Sequence, residues 1–176
     1  MRLTVGPLLT NAEARAVSGW RYEGQYSLYD GDPQGVEGLL DPANGYHGVT
    51  EDDQPELIGF CCFGPDARVP GFTYDDDALD VGAGLRPDRT GRGMGAQLVE
   101  TALAFAAAEF SPTRYRVTVA SFNLRALRMA ERCGFHLQAR FQSPTNREFV
   151  VLTKTHCREA AVRPIAGQSA PRPAMG

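Results

Sequence analysis

The spacing of apolar positions along the chain changes between period two and a period near 3.6, and the changes mark the elements. "LTVGPLL" (3–9) alternates weakly and predicts a first strand. Asn11 reads as the N-cap of a short helix over 12–18 that closes near Gly19. The aromatic stretch "WRYEGQYSLYDGDP" (20–33) keeps no period and reads as a loop or a broken helix, while "PQGVEGLLD" (33–41) has room for one or two helical turns. "YHGVTE" (46–51) and "ELIGFCCFG" (56–64) are predicted strands, joined through "DDQP" as a hairpin. A loop over 65–77 ends in Asp75, Asp76 and Asp77. In the next strand, "ALDVGAGL" (78–85), Leu79, Val81, Ala83 and Leu85 share one face and Asp80, Gly82 and Gly84 the other.

From 92 to about 109 the pattern turns helical, with Met94, Leu98, Ala102 and Phe105 recurring at steps of three or four. "YRVTVA" (115–120) is a β-branched strand, and "NLRALRMAERCG" (123–134) is a helix that starts at Asn and stops at Gly. Strands over 135–142 and 148–155 complete the set. This order predicts a mixed α/β fold of the α+β type, with a strand–helix–strand unit at its centre and antiparallel pairs around it. Residues 1–157 read as one domain, and the Pro- and Ala-rich tail over 158–176 is expected to stay disordered.

Composition narrows the picture only a little. A length of 176 residues suffices for a sizeable core, and 43% hydrophobic with 22% charged residues is ordinary for a soluble globular protein. A net charge of −3 gives no reason to expect a nucleic-acid partner. Lys154 is the lone lysine, a skew that fits genomic base composition better than chemistry, so isolated arginines count for little. The four cysteines show no metal or disulfide spacing. No apolar stretch is long enough for a signal peptide or a membrane span, so a reduced cytoplasm is the expected setting and no membrane partner is expected.

One segment does change the picture. "RPDRTGRGMGAQLV" (86–99) places Gly91, Gly93 and Gly95 at alternate positions where the strand gives way to the helix. Each glycine costs a helix roughly 1 kcal/mol relative to alanine. A glycine-rich turn there leaves backbone N–H groups pointing out of the helix N-terminus, where they and the helix dipole suit a phosphate-like anion. Arg92 adds a charge beside them. A P-loop is excluded by the missing Gly-Lys-Ser/Thr, and a Rossmann fingerprint by Leu98 where its third glycine belongs.

The same spacing resembles the acyl-CoA signature of the GNAT acetyltransferase superfamily, and "SFNLRALRMAERCGF" resembles that family's second motif, about 30 residues downstream. The resemblance covers residues 78–136. It implies a mixed, mostly antiparallel central sheet flanked by helices on both faces, with acetyl-CoA as co-substrate and no metal. Thr90 stands where the family usually has Gln or Arg. Gly91, Arg92, Gly93, Met94, Gly95 and Ala96 are implied to offer N–H groups to the pyrophosphate. Ala83, Gly84 and Leu85 are implied to hydrogen-bond the pantetheine arm as an added strand would. Asn123 is implied to reach the CoA arm, a plain N-cap being its other reading.

Direct acetyl transfer to an amine needs a base and a route for the proton to the leaving thiolate. Asp80 is the candidate base on the strand; its other reading is a solvated strand-end carboxylate. Relatives often carry a tyrosine on the second-motif helix, and here Ala130 takes that place. Trp20, Tyr22 and Tyr26 either wall an acceptor pocket or form a small aromatic core over the sheet. Asp75 to Asp77 read as a solvated loop or as an attraction for a cationic amine. The leading expectation is an N-acetyltransferase acting on a small-molecule or peptide amine, and the alternative is a non-catalytic acyl-CoA binding or sensor domain. Homodimers are frequent among such enzymes, which leaves a homodimer open.

Overall fold

The period-two segments become strands β1 (Leu3–Leu8), β2 (His47–Glu51), β3 (Leu57–Phe63), β4 (Leu79–Leu85), β5 (Arg114–Ala120), β6 (His136–Gln142) and β7 (Glu148–Thr155). The helical ones become α1 (Asn11–Ser18), α2 (Val36–Leu40), α3 (Met94–Phe110) and α4 (Leu124–Arg132). This computed structural model describes residues 2–52 and 54–156; Cys157 and the 158–176 tail lie outside the described residues. The strands form one sheet in the order β1-β2-β3-β4-β5-β7-β6. Every neighbouring pair is antiparallel except β4 and β5, which run parallel through the α3 crossover.

Both faces are covered. The apolar side of α3 (Met94, Leu98, Val99, Ala102, Leu103, Ala106) and Ala130 of α4 pack on one face with Val81, Tyr115, Val150 and Leu152. On the other, α1 and α2 cluster with Trp20, Leu57 and Phe60. The long connection between β3 and β4 also docks on that second face, where Arg68 meets Asp80 and Ala67 approaches Gly82.

Most boundaries shift by a residue or two from the pattern reading, and two of the shifts have a clear cause. Helix α1 starts one residue earlier, because Thr10 rather than Asn11 is its N-cap. Thr10 accepts from the Glu13 N–H while the Glu13 carboxylate accepts from the Thr10 N–H, a reciprocal capping box. Helix α3 starts at Met94 rather than 92, because Gly93 sits in the left-handed region at φ 80°. Residues 20–33 hold a 3-10 turn over Gly24–Tyr29.

Candidate active site

The parallel joint at the centre of the sheet is short. β4 pairs with β5 only at Leu79–Tyr115 and Asp80–Arg116, whereas β5 pairs with β7 at every position from Arg114 to Ala120. Beyond Asp80 the two strands part. Ala83, in the middle of a central strand, is exposed, while its cross-strand partner Cys61 is fully buried. No β5 residue pairs with β4 beyond Asp80, so the backbone of Ala83 on that side has no ladder partner, and backbone groups in such a place need one. A chain carrying its own amides can supply it by lying along the strand.

At the end of β4 the chain enters the glycine turn. Gly91 and Gly93 have φ of 74° and 80°, a conformation that side chains disfavour. A Cβ at Gly93 would meet nothing within 4 Å, so packing within the chain does not require glycine there. No side chain caps α3, whose first N–H groups stay open. The turn is held from behind by ion pairs: Arg86 grips Asp88 and Glu56, and Arg89 lies by Glu51. Thr90 turns its hydroxyl inward to the Pro87 carbonyl at 2.8 Å. Met94 offers only its backbone, since its side chain is buried in the core.

Residues 20–30 bridge the gap. Tyr22 donates to the Leu85 carbonyl at 2.8 Å on the β4 side, and burial pushes its phenol up to about 12, so it stays a donor. On the far side Arg125 donates to Tyr26 at 3.1 Å and lies 4.1 Å over its ring, and the Asn123 amide donates to Tyr29 at 3.2 Å. A cleft of about 760 Å³ opens between, lined by Tyr22, Tyr26, Pro87, Thr90 and Arg125. Nothing in local spacing marks Arg125 as a cleft residue in a chain this rich in arginine. The structure sets its guanidinium 3.7 Å from where a Gly91 Cβ would lie, while Arg92 is exposed.

Asn123 caps α4 by accepting from the Ala126 N–H at 3.1 Å. The plain N-cap reading therefore holds, with the Asn123 oxygen used by the helix and its amide by Tyr29. Asn123→Ala is expected to lower stability by about 1 kcal/mol from the lost cap, seen as a midpoint roughly 2–4 °C lower in thermal unfolding.

Two expectations need correction. Asp80 is 2% exposed, and both its oxygens are taken: Arg116 donates to them at 2.6 and 2.8 Å, and Arg68 at 2.7 Å. A carboxylate this buried and clasped by two guanidinium groups is shielded from an incoming amine, so Asp80 stands as an ion-paired structural anion rather than a base or a solvated strand end. Trp20 is 8% exposed and packs 6.0 Å from Phe60 in the cluster under α1 and α2, so it supports the bridge and cannot wall a pocket. Of the acidic run, Asp75 and Asp76 pair with Arg116 and Arg68. Hydrogen bonding from Arg116 holds the Asp75 carboxyl below its usual range.

Residues 10–135, which hold the strand gap and the glycine turn, match a model of the acetyltransferase (GNAT) family. The chain belongs to that family. Solved structures share the GNAT fold at low sequence identity. A spermidine N-acetyltransferase SpeG chimera from Vibrio cholerae and hSSAT is 19% identical, with a TM-score of 0.66 over 88% of this chain and 96% of its own. A GNAT-family acetyltransferase from Bacillus anthracis is 13% identical, with a TM-score of 0.67 over 88% and 95%. AAC(6')-Ib in complex with ribostamycin and coenzyme A is 17% identical, with a TM-score of 0.67 over 88% and 94%. A search of curated protein sequences returns no significant match. Among the described residues no helix is long and apolar enough to cross a membrane.

Proposed function

We propose that this GNAT acetyltransferase takes acetyl-CoA as co-substrate and transfers its acetyl group directly to a primary amine of a small molecule or peptide. The observation that carries the reading is the unpaired inner edge of β4, with Ala83 exposed in mid-sheet, running into the open N-terminus of α3. The residues fit the co-substrate. Along the edge from Ala83 to Leu85 the free backbone of Ala83 suits the amides of the pantetheine arm, as an added strand, and the Leu85 carbonyl is held by Tyr22. The N–H groups from Gly91 to Ala96 suit the pyrophosphate. Arg125 lines the cleft from the α4 side. The relatives support the assignment by their own ligands: one is crystallised with coenzyme A and an aminoglycoside, and another is named for spermidine.

Thermal unfolding with saturating acetyl-CoA, with ADP and NAD as parallel ligands, tests this. Acetyl-CoA at about 100 times its dissociation constant adds roughly 2.7 kcal/mol, expected as a midpoint rise of about 5–10 °C. Thiol release in the presence of primary amines then reports turnover. No rise with acetyl-CoA removes the reading; a rise without turnover on any amine leaves an acyl-CoA binding domain.

A further inference from the structure

Gly82 lies just past the last β4–β5 pair, where the strands begin to part. Its cross-strand partner is Cys62, whose sulfur would lie 2.6 Å from a Cβ at Gly82; Ala67 would lie 3.5 Å away. The residue before Ala67, Asp66, is exposed on that same face, and its carboxylate accepts from the Tyr46 hydroxyl at 2.5 Å. Tyr46 is half-buried against Phe60 and beside Cys62. An acidic, solvent-facing group thus stands over β3, one strand from the opening, on the face away from α3.

Charge accounting around it is one-sided. Asp80, Asp75 and Asp76 near the gap are each ion-paired: Asp80 with Arg116 and Arg68, Asp75 with Arg116, Asp76 with Arg68. Asp66 accepts instead from a neutral phenol, and Tyr46 is kept protonated by burial first and then by its neighbours Cys62 and Asp66. A hydrogen bond of this kind fixes a carboxylate in place while leaving its charge and its second oxygen available. Arg68 and Arg116 are themselves spent on Asp80, Asp75 and Asp76, so neither competes for Asp66.

We propose that Asp66, held by Tyr46, is the site that receives the ammonium group of the acceptor. This rests on the reading of the β4–β5 gap as the acetyl-CoA site. Cys62 takes no part, its thiol being pushed up to about 12 chiefly by burial.

The test is independent of the natural acceptor. Calorimetry would compare S-propyl-CoA with S-(2-aminoethyl)-CoA, two analogues of nearly one size that differ by an ammonium placed past the sulfur. Wild-type protein is expected to bind the amino analogue at least tenfold more tightly than the propyl one. Asp66→Asn should abolish that preference while leaving S-propyl-CoA affinity and the thermal midpoint unchanged. Asp66→Glu should retain part of the preference. A wild-type protein without the preference, or a preference that survives in Asp66→Asn, overturns the proposal. Failure to bind S-propyl-CoA at all overturns the acetyl-CoA reading, and this proposal falls with it.

Discussion

Replacing Arg116 by alanine is expected to destabilise the protein by about 3–5 kcal/mol, the usual cost of stranding a buried charge. Its guanidinium is 1% exposed, donates to both oxygens of Asp80 and to the side chain and carbonyl of Asp75, and stacks 4.9 Å from the Tyr74 ring centre. Removing it leaves Asp80 at 2% exposure with Arg68 alone. For a chain of this size the thermal midpoint should drop by roughly 6–20 °C, and urea unfolding should give the same ranking. The double variant Asp80→Leu/Arg116→Met should recover at least half of the loss, since matched apolar groups tolerate such a site better than one orphaned charge. If Arg116→Ala changes stability by less than about 1 kcal/mol, the ion-pair network is not what closes this part of the sheet.

The reason to expect so much from one residue is where the network sits. The β4–β5 joint has two residue pairs, and one of them is Asp80 with Arg116. A sheet that parts at its centre gives up ladder hydrogen bonds there, and the ionic staple stands at the last point where the strands still touch. The gap and the staple adjoin: the last pair before the strands part, Asp80 with Arg116, is also the ion pair that holds them together. Arg116→Ala should therefore also weaken acetyl-CoA binding, without touching any residue that faces the ligand.

This arrangement also separates what the sequence discloses from what it hides. The strand over 78–85, the glycine turn, the α4 cap at Asn123 and the face parity of β4 were all legible, because each depends on local spacing or on one residue's backbone preference. Asp80 was misjudged because its partners lie 12 and 36 positions away, and nothing in local spacing marks Arg68 or Arg116 as its counter-ions. Tyr46 and Asp66 stayed hidden for the same reason, being 20 positions apart and joined only by the fold. The aromatic stretch divides between its two readings. Trp20 joins the core, while Tyr22 and Tyr26 line the cleft, and only the packing of α1 and α2 decides which ring goes where.

Gly93→Ala is expected to separate the two costs of the glycine turn. At φ 80° the alanine adopts a left-handed backbone, a strain of about 1 kcal/mol or somewhat more, so the midpoint should fall by only a few degrees. The new methyl meets no atom of the protein within 4 Å, so no steric term adds to that strain. Acetyl-CoA affinity should suffer far more, by at least thirtyfold. The methyl would stand in the open space before the first N–H groups of α3, where an anion must come close to the backbone to use them. Calorimetric titration of the variant with acetyl-CoA measures this directly, with Asn123→Ala, which removes the α4 cap, as a comparison. A midpoint that falls as expected with an unchanged acetyl-CoA affinity would mean that the glycines serve the turn alone and that the phosphates bind elsewhere. A large loss of affinity at small cost in stability would show that the glycines are there to admit a ligand.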